Sequence, residues 1–135
     1  MAEVAAAVAD THALVFHAAG GGRLGPRAKA HFAATERRER MVYVPAAVIW
    51  EVSLLARAVR INLHRPVREF FAELFSNPAY QSHDLTPSQV FDADELRFTR
   101  DPFDALICAA ARDLNVPLMT RDTGIREAGV VRIVW

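Results

Sequence analysis

Four acidic residues, Asp10, Glu51, Asp104 and Asp122, stand where alternating strands and helices would gather them, and gathered carboxylates have few chemical uses. Two carboxylates about 4 Å apart repel by roughly 4 kcal/mol at an effective dielectric near 20. Several such pairs persist only where something offsets them. Hard divalent cations do so, and ligands made of oxygen alone favour Mg²⁺ or Mn²⁺ over zinc. Such ions activate a water and stabilise the charge that develops on a scissile phosphate. The chemistry this points to is hydrolysis of a phosphodiester.

Each acid also has a plainer explanation. Asp10 closes the apolar run Val4 to Ala9, and Asp122 lies two residues beyond the run Pro117 to Thr120. Aspartate is common at strand ends and helix N-caps. Asp104 follows Asp101 by one helical turn in a segment that opens Asp101-Pro102, where both acids would satisfy exposed amides and the helix dipole. Glu51 is harder to explain as scenery. On a helical wheel it falls beside Leu55 and Ala58, at the edge of an apolar stripe and away from Ser53, Arg57 and Arg60. A carboxylate there is paired, protonated or metal-bound, since burying it alone is costly. A salt bridge to an arginine is the alternative.

The elements that must position these acids alternate. Val4 to Ala9 reads as a buried strand, and Thr11 to Ala19 as a helix stopped by Gly20, Gly21 and Gly22. Pro26 to about Arg40 is a second helix, and Met41 to Val44 a strand cut off by Pro45. Helical patterns follow at Pro45 to about Arg60, with Val48, Val52, Leu55 and Val59 on one stripe, and at Pro66 to Phe75. Tyr80 to Leu85 is a weak strand. Thr86-Pro87-Ser88-Gln89 then supplies an N-cap, a first-turn proline and a glutamine at the capping-box position, opening a helix to about Leu96. The Asp101-Pro102 helix is apolar nearly all round from Phe103 to Ala111. Pro117 to Thr120 is a strand, Thr123 to Ala128 a short helical turn and Val130 to Trp135 a last strand. Strands separated by helices imply a three-layer α/β/α fold with a mainly parallel sheet. Such sheets open their ligand crevice at the carboxyl ends of the strands, which is where Asp10 and Asp122 fall.

With 135 residues, 52% of them hydrophobic, the chain can bury a core without staples, and it reads as one domain over 1–135. The single cysteine, Cys108, excludes an internal disulfide or a thiolate zinc site and reads as core. No signal peptide or membrane-length apolar stretch is evident, so a cytoplasmic location is expected. Zero formal net charge argues against binding nucleic acid through bulk charge. The basic side is nonetheless almost all arginine, with Lys29 the exception. Arginine suits phosphate, although a GC-rich coding sequence explains the bias as well. Were the four acids committed to metal, 16 positive charges would face 12 negative ones.

The order Asp10-Thr11-His12 after a strand, Trp50-Glu51, Asp101-Pro102-Phe103-Asp104, then Thr120-Arg121-Asp122 before a β-rich Val131 to Trp135 resembles the PIN-domain ribonucleases. It looks most like the VapC-type toxins of bacterial and archaeal toxin–antitoxin pairs. The likeness runs essentially end to end, with departures at Pro45, Leu55 and Ala105, none of which removes an acid. It implies that Asp10, Glu51, Asp104 and Asp122 form the catalytic metal site for Mg²⁺ or Mn²⁺, and that Thr11 and Thr120 are polar neighbours orienting ligands or water. It further implies an RNA substrate, a homodimer and a cognate antitoxin that blocks the site.

Other constellations carry less. The three glycines follow a helix and lack the Gly-Lys-Ser/Thr ending of a phosphate loop. The five histidines show no i, i+4 pair, and no nucleophile elbow supports a serine hydrolase. His12 could touch substrate, with a packing or capping role as the alternative. Trp50 and Trp135 read as core or interface. An aspartyl phosphatase would need a second aspartate where His12 stands, and a receiver domain a late lysine. The competing functions are a catalytically weak PIN-like module that binds RNA or protein, and a DNA nuclease on the same fold.

Overall fold

In the computed structural model, which describes residues 5–135, the chain runs through β1 (Ala6–Ala9), α1 (Thr11–Ala18), α2 (Pro26–Glu36), β2 (Met41–Pro45), α3 (Ala46–Arg57), α4 (Val67–Leu74) and β3 (Tyr80–His83). It continues through α5 (Pro87–Glu95), α6 (Pro102–Leu114), β4 (Leu118–Met119), α7 (Thr123–Ala128) and β5 (Ile133–Val134). The sheet is parallel throughout, in the order β3-β2-β1-β4-β5. Helices cover both of its faces, as the sequence pattern predicts. Consecutive residues of β1 point to opposite faces, yet Ala7, Val8 and Ala9 are all 0% exposed. Alanine is a poor strand former, but its small side chain lets covering elements approach closely. Helix α6 packs against β1, α3 and α5 and buries Ile107 through Ala111 without interruption, which explains its nearly all-round apolar sequence.

Strand order reverses beside β1, because the chain steps outward to β2 and β3 and then returns to place β4 on the other side. The crevice of an open parallel sheet falls at such a switch point, outside the carboxyl ends of the strands. Here it lies between the ends of β1 and β4, where the Asp10 N–H donates to the Met119 carbonyl at 3.2 Å.

Several elements are shorter than their sequence patterns. Val4 lies outside the described residues, and β1 begins at Ala6. Helix α2 stops at Glu36 because Arg38 turns into the left-handed region (φ 63°). Helix α3 stops at Arg57, three residues early, because Val59 takes φ 55° and faces solvent at 88% exposure. Pro45 holds the N-cap position of α3, which starts at Ala46, and at the same time ends β2, pairing with His83. β3 ends there, before Leu85. β5 spans Ile133–Val134 alone, and the Trp135 carbonyl leaves the ladder to accept from the Arg27 and Ala28 N–H groups at 2.8 and 2.9 Å. Thr86 caps α5 through the Gln89 N–H at 3.3 Å, but the Gln89 side chain donates to the Asp84 carbonyl instead of closing a capping box. Among the described residues, no helix is long and apolar enough to cross a membrane.

Candidate metal centre

Asp10, Glu51, Asp104 and Asp122 line one cavity of about 400 Å³ at the switch point, together with Thr11, His12, Asp101 and Arg121. Each arrives there for a local reason. Asp10 leaves β1 in extended conformation and caps α1, its Oδ1 accepting from the Ala13 N–H at 2.7 Å. Asp122 repeats the arrangement after β4, its Oδ1 accepting from the Ile125 N–H at 2.9 Å at the start of α7. Between them Thr120 is fully buried, and its hydroxyl accepts from the Asp122 N–H at 3.1 Å. The loop after β4 is thereby fastened to the strand end.

Glu51 projects from α3 and is half-buried. The Thr11 hydroxyl donates to its Oε1, and among the described residues it forms no ion pair with an arginine. The salt-bridge alternative for Glu51 is therefore set aside. At the start of α6, Asp101 does the capping, accepting from the Phe103 and Asp104 N–H groups at 2.8 and 3.3 Å. Asp104 contributes its backbone N–H to that cap, and its carboxyl faces the cavity.

The electrostatics mark the cluster. Burial, and then the charges of Asp101, Asp122, Glu51 and Asp10, push the Asp104 carboxyl up from 3.8 to about 7. Burial also raises Asp10, against the hydrogen bonds from Thr120 and Ala13 and the charge of His12. Beneath them, burial and the charges of Asp104, Asp10 and Asp122 push the Cys108 thiol up to about 12. The surroundings of Asp104 and Asp10 thus disfavour their charged forms.

The donor chemistry fits a hard divalent cation: carboxylates and hydroxyls, with no thiolate or imidazole required. Among the described residues, no three His, Cys, Asp or Glu side chains close on a common point, so the tight convergence expected of the four acids is not present. Magnesium keeps several waters and is held by one or two carboxylates plus substrate phosphates, which an open acidic cavity accommodates. The sequence pattern assigned no role to Arg121, although it stands between Thr120 and Asp122. Its position in the cavity depends on a stacking contact that no local spacing reveals.

An acidic, oxygen-lined cavity at the switch point of a fully parallel sheet defines the class: an α/β domain equipped for phosphoester chemistry. The chain belongs to the PIN domain family, whose model matches residues 7–131. PIN domains are generally nucleases. Among solved structures, VapBC2 from Rickettsia felis bound to a DNA fragment from its promoter is similar at TM-score 0.67 and 13% identity, covering 95% of this chain and 96% of that one. A toxin–antitoxin complex from Klebsiella pneumoniae is similar at TM-score 0.57 and 20% identity, covering 87% of each chain. FitAcB from Neisseria gonorrhoeae follows at TM-score 0.61 and 19% identity, covering 93% and 94%. No curated protein matches the sequence. At these identities the structures share the fold.

Proposed function

We propose that this chain, acting as one PIN unit, is an endoribonuclease that hydrolyses RNA phosphodiester bonds with Mg²⁺ or Mn²⁺. The observation that carries the reading is the open cavity at the sheet's switch point that Asp10, Glu51, Asp104 and Asp122 line together. In this reading Asp10, Glu51, Asp104 and Asp122 hold the metal. Once bound, the cation supplies an activated water and offsets the negative charge that builds on the scissile phosphate. Thr11 fixes the carboxylate of Glu51 by donating to it, which keeps that side chain from rotating away from the cavity. Thr120 restrains Asp122 through its backbone and supports ionised Asp10 by hydrogen bonding. Asp104 must lose its proton to serve as a ligand, and the neighbouring charges oppose that loss until a cation arrives.

The partner reading rests on the fold relatives, whose names describe toxin–antitoxin and VapBC complexes. We extend the proposal to the toxin of such a pair, and to a cytoplasmic homodimer that a cognate antitoxin holds inactive. The test incubates purified protein with single-stranded RNA and single-stranded DNA side by side, with Mg²⁺, Mn²⁺ or EDTA. Metal-dependent cutting of RNA, absent in folded Asp10→Asn and Asp104→Asn variants, is the expected result. Undiminished cutting by both variants rules out the assigned site. Preferential cutting of DNA makes the substrate DNA, and binding without cutting makes the chain a recognition module.

A further inference from the structure

Arg121 lines the acidic cavity, Arg23 borders the neighbouring hollow, and among the described residues neither is paired with an acid. Arg121 lines the cavity among its carboxylates, the setting in which an arginine would ordinarily bridge one of them. Among the described residues, neither Arg121 nor Arg23 forms an ion pair. Both guanidiniums instead lie over the ring of Phe16, Arg121 at 4.7 Å and Arg23 at 4.5 Å from its centroid. Phe16 is 5% exposed and is fixed from the other elements by Trp135, whose ring meets it edge-on at 6.4 Å. The ring is buried, and the two charges over it are solvent-exposed.

Stacking orients a guanidinium without consuming its N–H donors, which stay available for a bidentate partner. It also keeps Arg121 off the carboxylates, leaving them free for a cation. Measured from one ring centroid, the two guanidinium carbons are at most about 9 Å apart, close enough to serve one phosphate jointly or two neighbours along a strand. Beyond Arg23 the surface continues as a hollow of about 490 Å³ that Arg60, Asn62 and His64 also border. A path of donors thus leads from the acidic cavity across Phe16 into that hollow.

We infer that the Arg121–Phe16–Arg23 stack is a phosphate-binding subsite, holding the nucleic-acid backbone next to the bond that is cut. The inference rests on the nuclease reading above and adds to it the direction in which the strand leaves the site. Arg121 and Arg23 are positioning residues in this scheme, since they touch the backbone beside the reacting phosphate and not the reacting atoms.

The test follows binding of a fluorescein-labelled single-stranded oligoribonucleotide by anisotropy, in EDTA so that no strand is cut, across a KCl series. Each phosphate contact to a single strand contributes about 0.7 to the slope of log K against log salt. Arg23→Ala or Arg121→Ala should therefore flatten the slope by about 0.7, and the double variant by about 1.4. Arg121→Lys should restore most of the loss by restoring the charge. In cleavage with Mn²⁺ the alanine variants should raise KM more than they lower kcat. Unaltered melting temperatures confirm that the folds are intact. An unchanged salt slope in the double variant overturns the subsite, while metal-dependent cleavage by the wild type and its loss in Asp104→Asn leave the nuclease reading standing. A double variant that binds RNA normally but no longer binds a glutamate-rich peptide also overturns it, making the stack a protein contact. A wild-type protein that neither binds nor cuts RNA removes both readings together.

Discussion

Asp104→Asn should stabilise the metal-free protein while abolishing its chemistry. The Asp104 carboxyl is displaced from 3.8 to about 7, first by burial and then by Asp101, Asp122, Glu51 and Asp10. At 1.36 kcal/mol per tenfold change, full ionisation costs the folded state about 4 kcal/mol as an upper bound. The group is partly exposed, and solvent screening reduces this to about 1–2 kcal/mol. Asparagine has nearly the shape of the protonated acid and carries no charge, so it escapes the cost.

The sign follows from the direction of the shift. Below about pH 3 the carboxyl is protonated in folded and unfolded chains alike, and the penalty is absent. As pH rises the unfolded chain releases its proton first, so the wild type loses stability up to and through about pH 7. At pH 8 in EDTA, thermal melting should place the Asn variant about 3–8 °C above the wild type, and at about pH 3 the two should coincide. Saturating Mn²⁺ should then reverse the order. A cation at 100 times its Kd adds about 2.7 kcal/mol to a protein that binds it, and the variant lacks a ligand. If Asp104→Asn melts with or below the wild type at pH 8 without metal, the charge cluster is not as described.

Other perturbations probe the frame. Val59→Gly should stabilise by about 0.5–1 kcal/mol in urea titrations, because a β-branched residue at φ 55° is strained where glycine is at ease; glycine's larger unfolded-state entropy takes back part of the gain. Gly25→Ala should destabilise by about 1–3 kcal/mol, since a Cβ there would clash with the Trp135 carbonyl oxygen that caps the start of α2. Cys108 should resist alkylation in the native protein at pH 8 and react on unfolding, because burial and three nearby carboxylates hold the thiol protonated.

The alternation of strands and helices was legible because prolines, glycines and caps punctuate it: Pro26, Pro87 and Pro102 each open a helix, as their fixed φ favours. Helix ends were less so. Nothing in the run Ala56 to Arg60 announces that Val59 will adopt a backbone conformation its side chain disfavours, and the stop is imposed by the bonds from the Val59 and Arg60 N–H groups to Ala56 and Leu55. Strand order was not legible at all, since which neighbour β1 takes depends on packing between residues far apart in the chain. The same limit hid the Arg121–Phe16–Arg23 stack, in which a residue of α1 organises one loop before α2 and another after β4.

For the four acids, the structural and the chemical explanations proved compatible. Asp10 and Asp122 are N-caps, as a reader of helix signals would say, and they line the acidic cavity. Capping commits Oδ1 of each to a backbone N–H, which fixes the carboxyl plane without neutralising its charge. The cap is thus the device that aims the charge, and the helix N-terminus beside it helps offset that charge. Asp104 separates the two demands, because Asp101 takes the capping role one turn earlier and releases Asp104 to the cavity. Asp104, whose carboxyl is pushed up to about 7, is therefore an acid that the α6 cap does not need. An acid dispensable to the helix yet surrounded by other carboxylates is costly to keep unless a cation makes use of it.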